Sequence, residues 1–264
     1  MIPLRCILLF ITFAARVAGF QNLIPIFQGF GLPKQLVPKT FGDTNLENQL
    51  LEAIAQTERL STSEEIDSIV AQLERSDKTL PRPSIAPQIY GRWRLLHTSN
   101  AATASPIQRK AVDASKFAIY QDITLKNENA SDDVLIVSQV VKFSDTAELR
   151  VDALASTVAY PLEELTDRKS TGKVLGLNIL GVSLVGDEAA PDPNRPDSRI
   201  DFVFDEGNFQ FGDLKIPYPV PFRLPLFRDW VKGWIDITYL SDRMRISRGN
   251  KGTTFVLLKE QPEV

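Results

Sequence analysis

The chain has 264 residues, with 30 Lys and Arg against 33 Asp and Glu, which is enough for one large domain or two small ones. The first 42 residues hold four of the basic residues (Arg5, Arg16, Lys34, Lys39) and no acid. The remainder therefore carries 26 basic against 33 acidic residues, a net charge of −7, which argues against broad nucleic-acid binding. Cys6 is the single cysteine, and a chain processed behind it has no disulfide, thiol nucleophile or thiolate metal site.

The N-terminus reads as two targeting signals in series. Arg5 supplies a positive n-region, and Ile7 to Ala15 an apolar h-region too short to span a bilayer comfortably. Val17-Ala18-Gly19 offers small residues for cleavage, so residues 1–19 are expected to be a signal peptide. Residues 20–42 are acid-free, weakly basic and rich in Pro, Gly and Phe, with no serine. With Phe20 at the junction, the pair resembles the bipartite plastid presequences of algae with secondary, red-derived plastids. A plain secretory signal or an amphipathic anchor is the other reading.

A helical lead-in is expected over residues 43–88. Asn45 is the candidate cap of a first helix, with Leu46, Leu50, Leu51 and Ile54 at helical spacing. Ser61 or Ser63 starts a second, with Glu64 and Glu65 in the first turn, where the helix dipole favours acids. Ile66, Ile69, Val70 and Leu73 form its apolar face, and Pro81, Pro83 and Pro87 end the helical region. Such a hairpin packs on, or plugs, the domain that follows; the alternative is a free-standing partner-binding helix.

The sheet, expected over residues 89–260, begins at Tyr90-Gly91-Arg92-Trp93, where Gly91 lets the chain bend into the strand. Alternation puts Trp93, Leu95 and His97 on one face. Further strands are expected at 117–125, at 134–143 and within 147–160. Residues 174–185 make a strand or a loop over the barrel mouth, and 187–198 a solvated loop. Two strands, 199–205 and 208–211, flank Glu206-Gly207. At the end, Ile235, Ile237 and Tyr239 share one face, and turns at Ser241-Asp242 and Gly249-Asn250-Lys251-Gly252 separate three β runs. Eight or more short strands with little helix predict a mainly β fold, an antiparallel up-and-down barrel with an N-terminal helical pair. An eight-stranded barrel holds side chains or one small apolar ligand.

Catalytic, metal and cofactor sites are not expected. His97 is the single histidine, and no Gly-x-Ser-x-Gly elbow, His/Asp/Glu cluster, Gly-x-Gly-x-x-Gly or Walker element accompanies it. Residues 214–234 carry Pro217, Pro219, Pro221 and Pro225, which exclude a regular helix or central strand through most of the stretch. Its aromatic and apolar groups interleave with Lys215, Arg223, Arg228 and Lys232, a composition suited to a lipid interface. Phe222, Leu226, Phe227 and Trp230 are the candidate interface residues; the alternative is that these rings fold back to cap the barrel.

Two further resemblances add to this reading. Gly91-x-Trp93 at a first strand resembles the lipocalin signature, in which an arginine from a late strand closes the barrel over the tryptophan; Arg245 or Arg248 is the candidate. Tyr90 to Leu96 with Thr98-Ser99, Tyr120-Gln121-Asp122-Ile123 and the long stretch Gly233 to Gly252 resemble the plastid lipid-associated proteins, or plastid fibrillins. That family often has Tyr-Leu-Asp-Glu where this chain has Tyr239-Leu240-Ser241-Asp242, and often Tyr in place of His97. The resemblance marks Tyr120, Gln121, Asp236, Tyr239, Gly249 and Gly252 as signature positions. It implies a lipocalin-like barrel at thylakoids or plastoglobules that binds or organises carotenoids, quinones or acyl lipids, as a peripheral membrane protein without catalytic activity. A coat protein with a solid barrel, binding lipid particles or proteins through its outside, is the alternative. Asp236, Tyr239, Arg245 and Arg248 are expected to serve fold closure, with Asp236 ion-paired to one of the two arginines.

Overall fold

The computed structural model describes residues 41–57, 63–99, 117–126, 133–166, 178–179, 182–183, 190–218, 223–228, 231–250 and 252–260. Apart from Phe41 and Gly42, the expected signal and transit segments lie outside these residues. Eight strands form the body: β1 (Gly91–Thr98), β2 (Ala118–Lys126), β3 (Val134–Ser144), β4 (Ala147–Ser156), β5 (Arg199–Phe211), β6 (Lys232–Leu240), β7 (Met244–Gly249) and β8 (Thr254–Lys259). Each pairs antiparallel with the next, and β8 returns to β1, so the expected up-and-down barrel closes. A short strand, Leu214–Pro217, folds back on the end of β5. Within the 174–185 run, Asn178–Ile179 and Val182–Ser183 pair with each other. Glu206-Gly207 does not make a hairpin: β5 runs straight through it, and an irregularity at Asp205 absorbs the extra residue against β4.

Two more bulges overturn the expected faces. Between Leu95 and His97 the register against β8 shifts, so Leu95 sits opposite Leu257 and His97 opposite Val256. His97 therefore turns away from Trp93 and Leu95. Between β6 and β7, Tyr239 pairs with Ile246 but Ile237 with Ser247, leaving Thr238 as the extra residue. Ile235, Ile237 and Leu240 pack in the barrel interior, whereas Tyr239 points outward.

The outer face of β6–β8 is where the helices dock. Helix α1 (Thr44–Gln56) and helix α2 (Glu64–Arg75) bury Leu50, Ala53, Ile66, Ile69, Val70 and Leu73 against Tyr239, Met244, Ile246 and Val256. The hairpin packs on the barrel rather than plugging it. The cap of α1 is Asp43, not Asn45: its carboxylate accepts from the Leu46 N–H at 3.3 Å, and Asn45 lies inside the helix. Ser63 stands at the cap of α2, with Glu64, Glu65 and Asp67 in its first turn. The proline-rich link does more than end α2. Leu80, Ala86 and Ile89 pack into the barrel core with Trp93, so this segment seals one end.

Candidate functional site: the barrel interior

The sealed end is organised around Trp93, which is fully buried. Its indole N–H donates to the Ile89 carbonyl at 2.8 Å, tying the sealing segment to β1. Gly91, at the entry of that strand, has φ +111°, a conformation that side chains disfavour. The Arg245 guanidinium lies 5.0 Å from the Trp93 ring centroid and the Lys259 ammonium 5.2 Å from it. Arg248 takes no part. It sits on the opposite face of β7 and makes a two-pronged ion pair with Glu74 of α2, at 2.7 Å for each bond. Alternation along β7 decides this: Arg245 and Ser247 face the lumen, Ile246 and Arg248 the helices.

Arg245 is buried without an acid. Its Nη2–H donates to Gln121 Oε1, while its Nε and Nη1 find no partner among the described residues, and neither does the buried Ser247 hydroxyl. Burial pushes the guanidinium down to about 9. Burial also lowers the Lys259 ammonium, against Asp242 and with Arg245; its Nζ donates to the Gln88 carbonyl at 2.6 Å.

Towards the other end, the lining is apolar apart from Gln139 and is less covered. Pairing places Trp93, Gln121, Gln139 and Val151 on one inward-facing row, with Ile119, Val141 and Leu149 on the next. Leu95, Ile119, Gln139, Val151, Phe202 and Phe255 are only half-buried, unlike Trp93, Ile123, Leu135 and Ile237 at the sealed end. The Phe202 ring sits against Gly233; a Cβ there would come within 2.6 Å of it, so only glycine admits the phenyl group. The same face continues outward beyond the barrel. Phe209 pairs with Ile216 and Phe211 with Leu214, and Phe211, Leu214 and Ile216 are 46%, 58% and 44% exposed. An apolar strip therefore runs from the lumen to solvent.

The remaining expected residues sort as follows. Asp236 pairs with neither Arg245 nor Arg248. It accepts two bonds of 2.7 Å from Arg199, whose guanidinium stacks 3.9 Å from the Trp234 ring on the outer wall. Tyr239 donates to Glu47 Oε1 at 2.7 Å and accepts from the Asp43 N–H at 2.8 Å, and burial pushes its phenol well above the ordinary value. Glu47, buried and also bonded to Arg243, is a hub that helix periodicity alone does not reveal. Tyr120 is on the outer face under Arg92, 5.2 Å from ring centroid to guanidinium, whereas its neighbour Gln121 faces inward. Gly249 and Gly252 shape the β7–β8 turn, where the Gly252 N–H donates to the Gly249 carbonyl at 3.0 Å. Of the interface candidates, Phe222 and Trp230 lie outside the described residues, as do the side chains of Leu226 and Phe227. The arginines expected beside them bind acids: Arg223 pairs with Asp205 at 2.6 Å, and Arg228 with Glu164 at 2.6 Å.

The fold and its interior define an eight-stranded lipocalin-like barrel, sealed at one end by a tryptophan and a buried arginine. The sequence model of the PAP_fibrillin family matches residues 44–258, and the chain belongs to that family. It is 39% identical over 201 residues to the probable plastid-lipid-associated protein 12, chloroplastic, of Arabidopsis thaliana, covering 74% of this chain and 38% of that protein. It thus spans well under half of that relative. It is 26% identical to the light-induced protein, chloroplastic, of Solanum tuberosum, over 81% of this chain and 67% of the relative. It is likewise 26% identical to the chromoplast-specific carotenoid-associated protein of Cucumis sativus, over 75% of this chain and 61% of the relative. No solved structure matches the chain.

Proposed function

We propose that this is a non-catalytic plastid protein that holds an apolar lipid in its barrel and associates peripherally with thylakoids or plastoglobules. One observation carries the reading: the barrel is sealed at one end and lined at the other by half-buried apolar side chains that continue onto an exposed apolar strip. Such a lumen suits one slender apolar ligand. The names of the Arabidopsis and cucumber relatives, plastid-lipid-associated and carotenoid-associated, support the ligand class and the compartment. The tandem N-terminal signals support import into a plastid of the secondary, red-derived type. In this reading residues 1–19 and 20–42 are removed, 43–88 form the helical lead-in and 89–260 the barrel. Protein purified from its own plastids, extracted and examined by mass spectrometry, should release a stoichiometric carotenoid, quinone or acyl lipid. Protein free of lipid after gentle purification would count against a loaded lumen.

The exposed strip favours a second reading, in which the outside of the barrel meets a lipid surface. Leu224, 51% exposed, adds to Phe211, Leu214 and Ile216. Replacing Leu214 and Ile216 with Ser should weaken flotation with liposomes of plastid lipids and leave the melting temperature nearly unchanged. Unaltered flotation would move the lipid contact elsewhere, to the stretch that holds Phe222, Leu226, Phe227 and Trp230.

A further inference from the structure

The interior polar groups say more than that the ligand is apolar. A solid, self-sufficient barrel has no use for a buried cation without a counter-ion, because an unpaired charge away from water is strongly disfavoured. Among the described residues no carboxylate pairs with Arg245, and two of its three nitrogens lack partners. Ser247 lies two residues further along the same strand face, about 6.6 Å away along the chain and nearer the open end, and its hydroxyl is buried and unpartnered as well. Buried polar groups in folded proteins normally find partners, so three such atoms lining one side of a lumen mark a place for a ligand oxygen.

We propose that Arg245 and Ser247 form a head-group site that takes the carboxylate of a single-chain lipid, with the tail running past Leu95, Ile119, Phe202 and Phe255 to the open end. The proposal rests on the reading of the barrel as a lipid-binding lumen and specifies its ligand as an elongated apolar acid. A neutral quinone or carotene would leave the guanidinium charge uncompensated, whereas a carboxylate neutralises it and accepts both the Nη1–H and the Ser247 O–H. Entry to the sealed end is head-first, and a carboxylate is no wider than the chain behind it; a phosphodiester head carrying two chains is not so slender. Lowered to about 9, the guanidinium still holds its proton at neutral pH.

The test is a fluorescence titration of the full-length, delipidated protein with cis-parinaric acid and, separately, with its methyl ester. The acid should bind about tenfold to a hundredfold more tightly, the range of a charge-assisted hydrogen bond. In Arg245→Gln the acid should fall to within about twofold of the ester. Ser247→Ala should remove part of the preference. Equal binding of acid and ester by the unsubstituted protein would overturn the head-group site while leaving the lipid-binding lumen intact, and this comparison needs no variant to fold. A preference that survives Arg245→Gln would overturn it too. If neither probe binds, the lumen reading itself fails and takes the head-group site with it.

Discussion

Replacing Arg245 with Met should not destabilise the delipidated protein, and should stabilise it by about 0–3 kcal/mol. The sign follows from opposing terms. Burial takes the guanidinium from 12.5 to about 9, and at about 1.4 kcal/mol for each tenfold this disfavours the charged form by about 5 kcal/mol. Against that stand the stacking on Trp93, worth about 0.5–2 kcal/mol, and the charged bond to Gln121, worth about 1.5–3 kcal/mol. The unbranched Met side chain fills most of the vacated volume without a charge. Arg245→Met with Gln121→Leu should gain further, because it also removes the orphaned Gln121 carbonyl. Urea unfolding followed by tryptophan fluorescence measures the change. A loss above about 1 kcal/mol in Arg245→Met would refute the reasoning and make Arg245 the stabilising closure of the barrel, as the lipocalin resemblance suggests.

Trp93→Ala should cost about 3–5 kcal/mol, since it empties a fully buried site and strands the Ile89 carbonyl; a midpoint shift under about 1 kcal/mol in urea would mean that the sealed end collapses to refill it. Asp236→Asn should cost about 2 kcal/mol, because it breaks a two-bond pair with the nearly buried Arg199, and an unchanged unfolding midpoint would make the pair irrelevant to stability. His97 is held below its ordinary pKa by burial, partly opposed by Asp67. The unfolded chain therefore takes up its proton first as pH falls through about 6.5, so the stability this group contributes is complete above that value and drains away below it. Between pH 7.5 and 5.5 the wild type should lose more stability than His97→Tyr; identical slopes would show that His97 is solvated.

The architecture was legible because it rests on simple signals: strand length, turn residues and the apolar faces of the helices. Ile66, Ile69, Val70 and Leu73 are buried as their spacing requires. The details failed wherever one inserted residue reverses a face. Alternation along β6 predicts Tyr239 beside Ile235 and Ile237, but both faces of this strand are apolar, one against the lumen and one against the helices. A period-two pattern cannot show the insertion at Thr238 when both faces look alike. His97 was misplaced for the same reason at Leu96. Long-range partners were illegible as well: Arg199 for Asp236, Glu74 for Arg248 and Glu47 for Tyr239 are fixed by three-dimensional register, and nothing in the local sequence names them. Arg245 was recognisable through the tryptophan it faces, whereas Gln121 and Ser247 became part of a site only once the strands were in register.

The length of the closing Gly233–Gly252 stretch has a physical counterpart. Strands β6 and β7 are buried on both faces, a condition that constrains nearly every position. Inward, Ile235, Ile237, Leu240 and Arg245 build the sealed end of the lumen. Outward, Tyr239, Met244 and Ile246 receive the helices, and Tyr239, Arg243 and Arg248 bond to Glu47 and Glu74. Strand β4 differs, with Arg150 and Asp152 pairing with each other at 3.0 Å on its half-exposed outer face. The helical lead-in thus belongs to the wall it covers: without it, an apolar face and three polar side chains would lie open on β6, β7 and the turn between them. That clamp is concentrated on the strands that carry Arg245 and Ser247, whereas the half-buried lumen residues Ile119, Gln139 and Val151 sit on β2–β4. The polar end of the proposed site is therefore backed from outside by the helices, while the exposed lip lies at the far end of β5, the strand that pairs with β4.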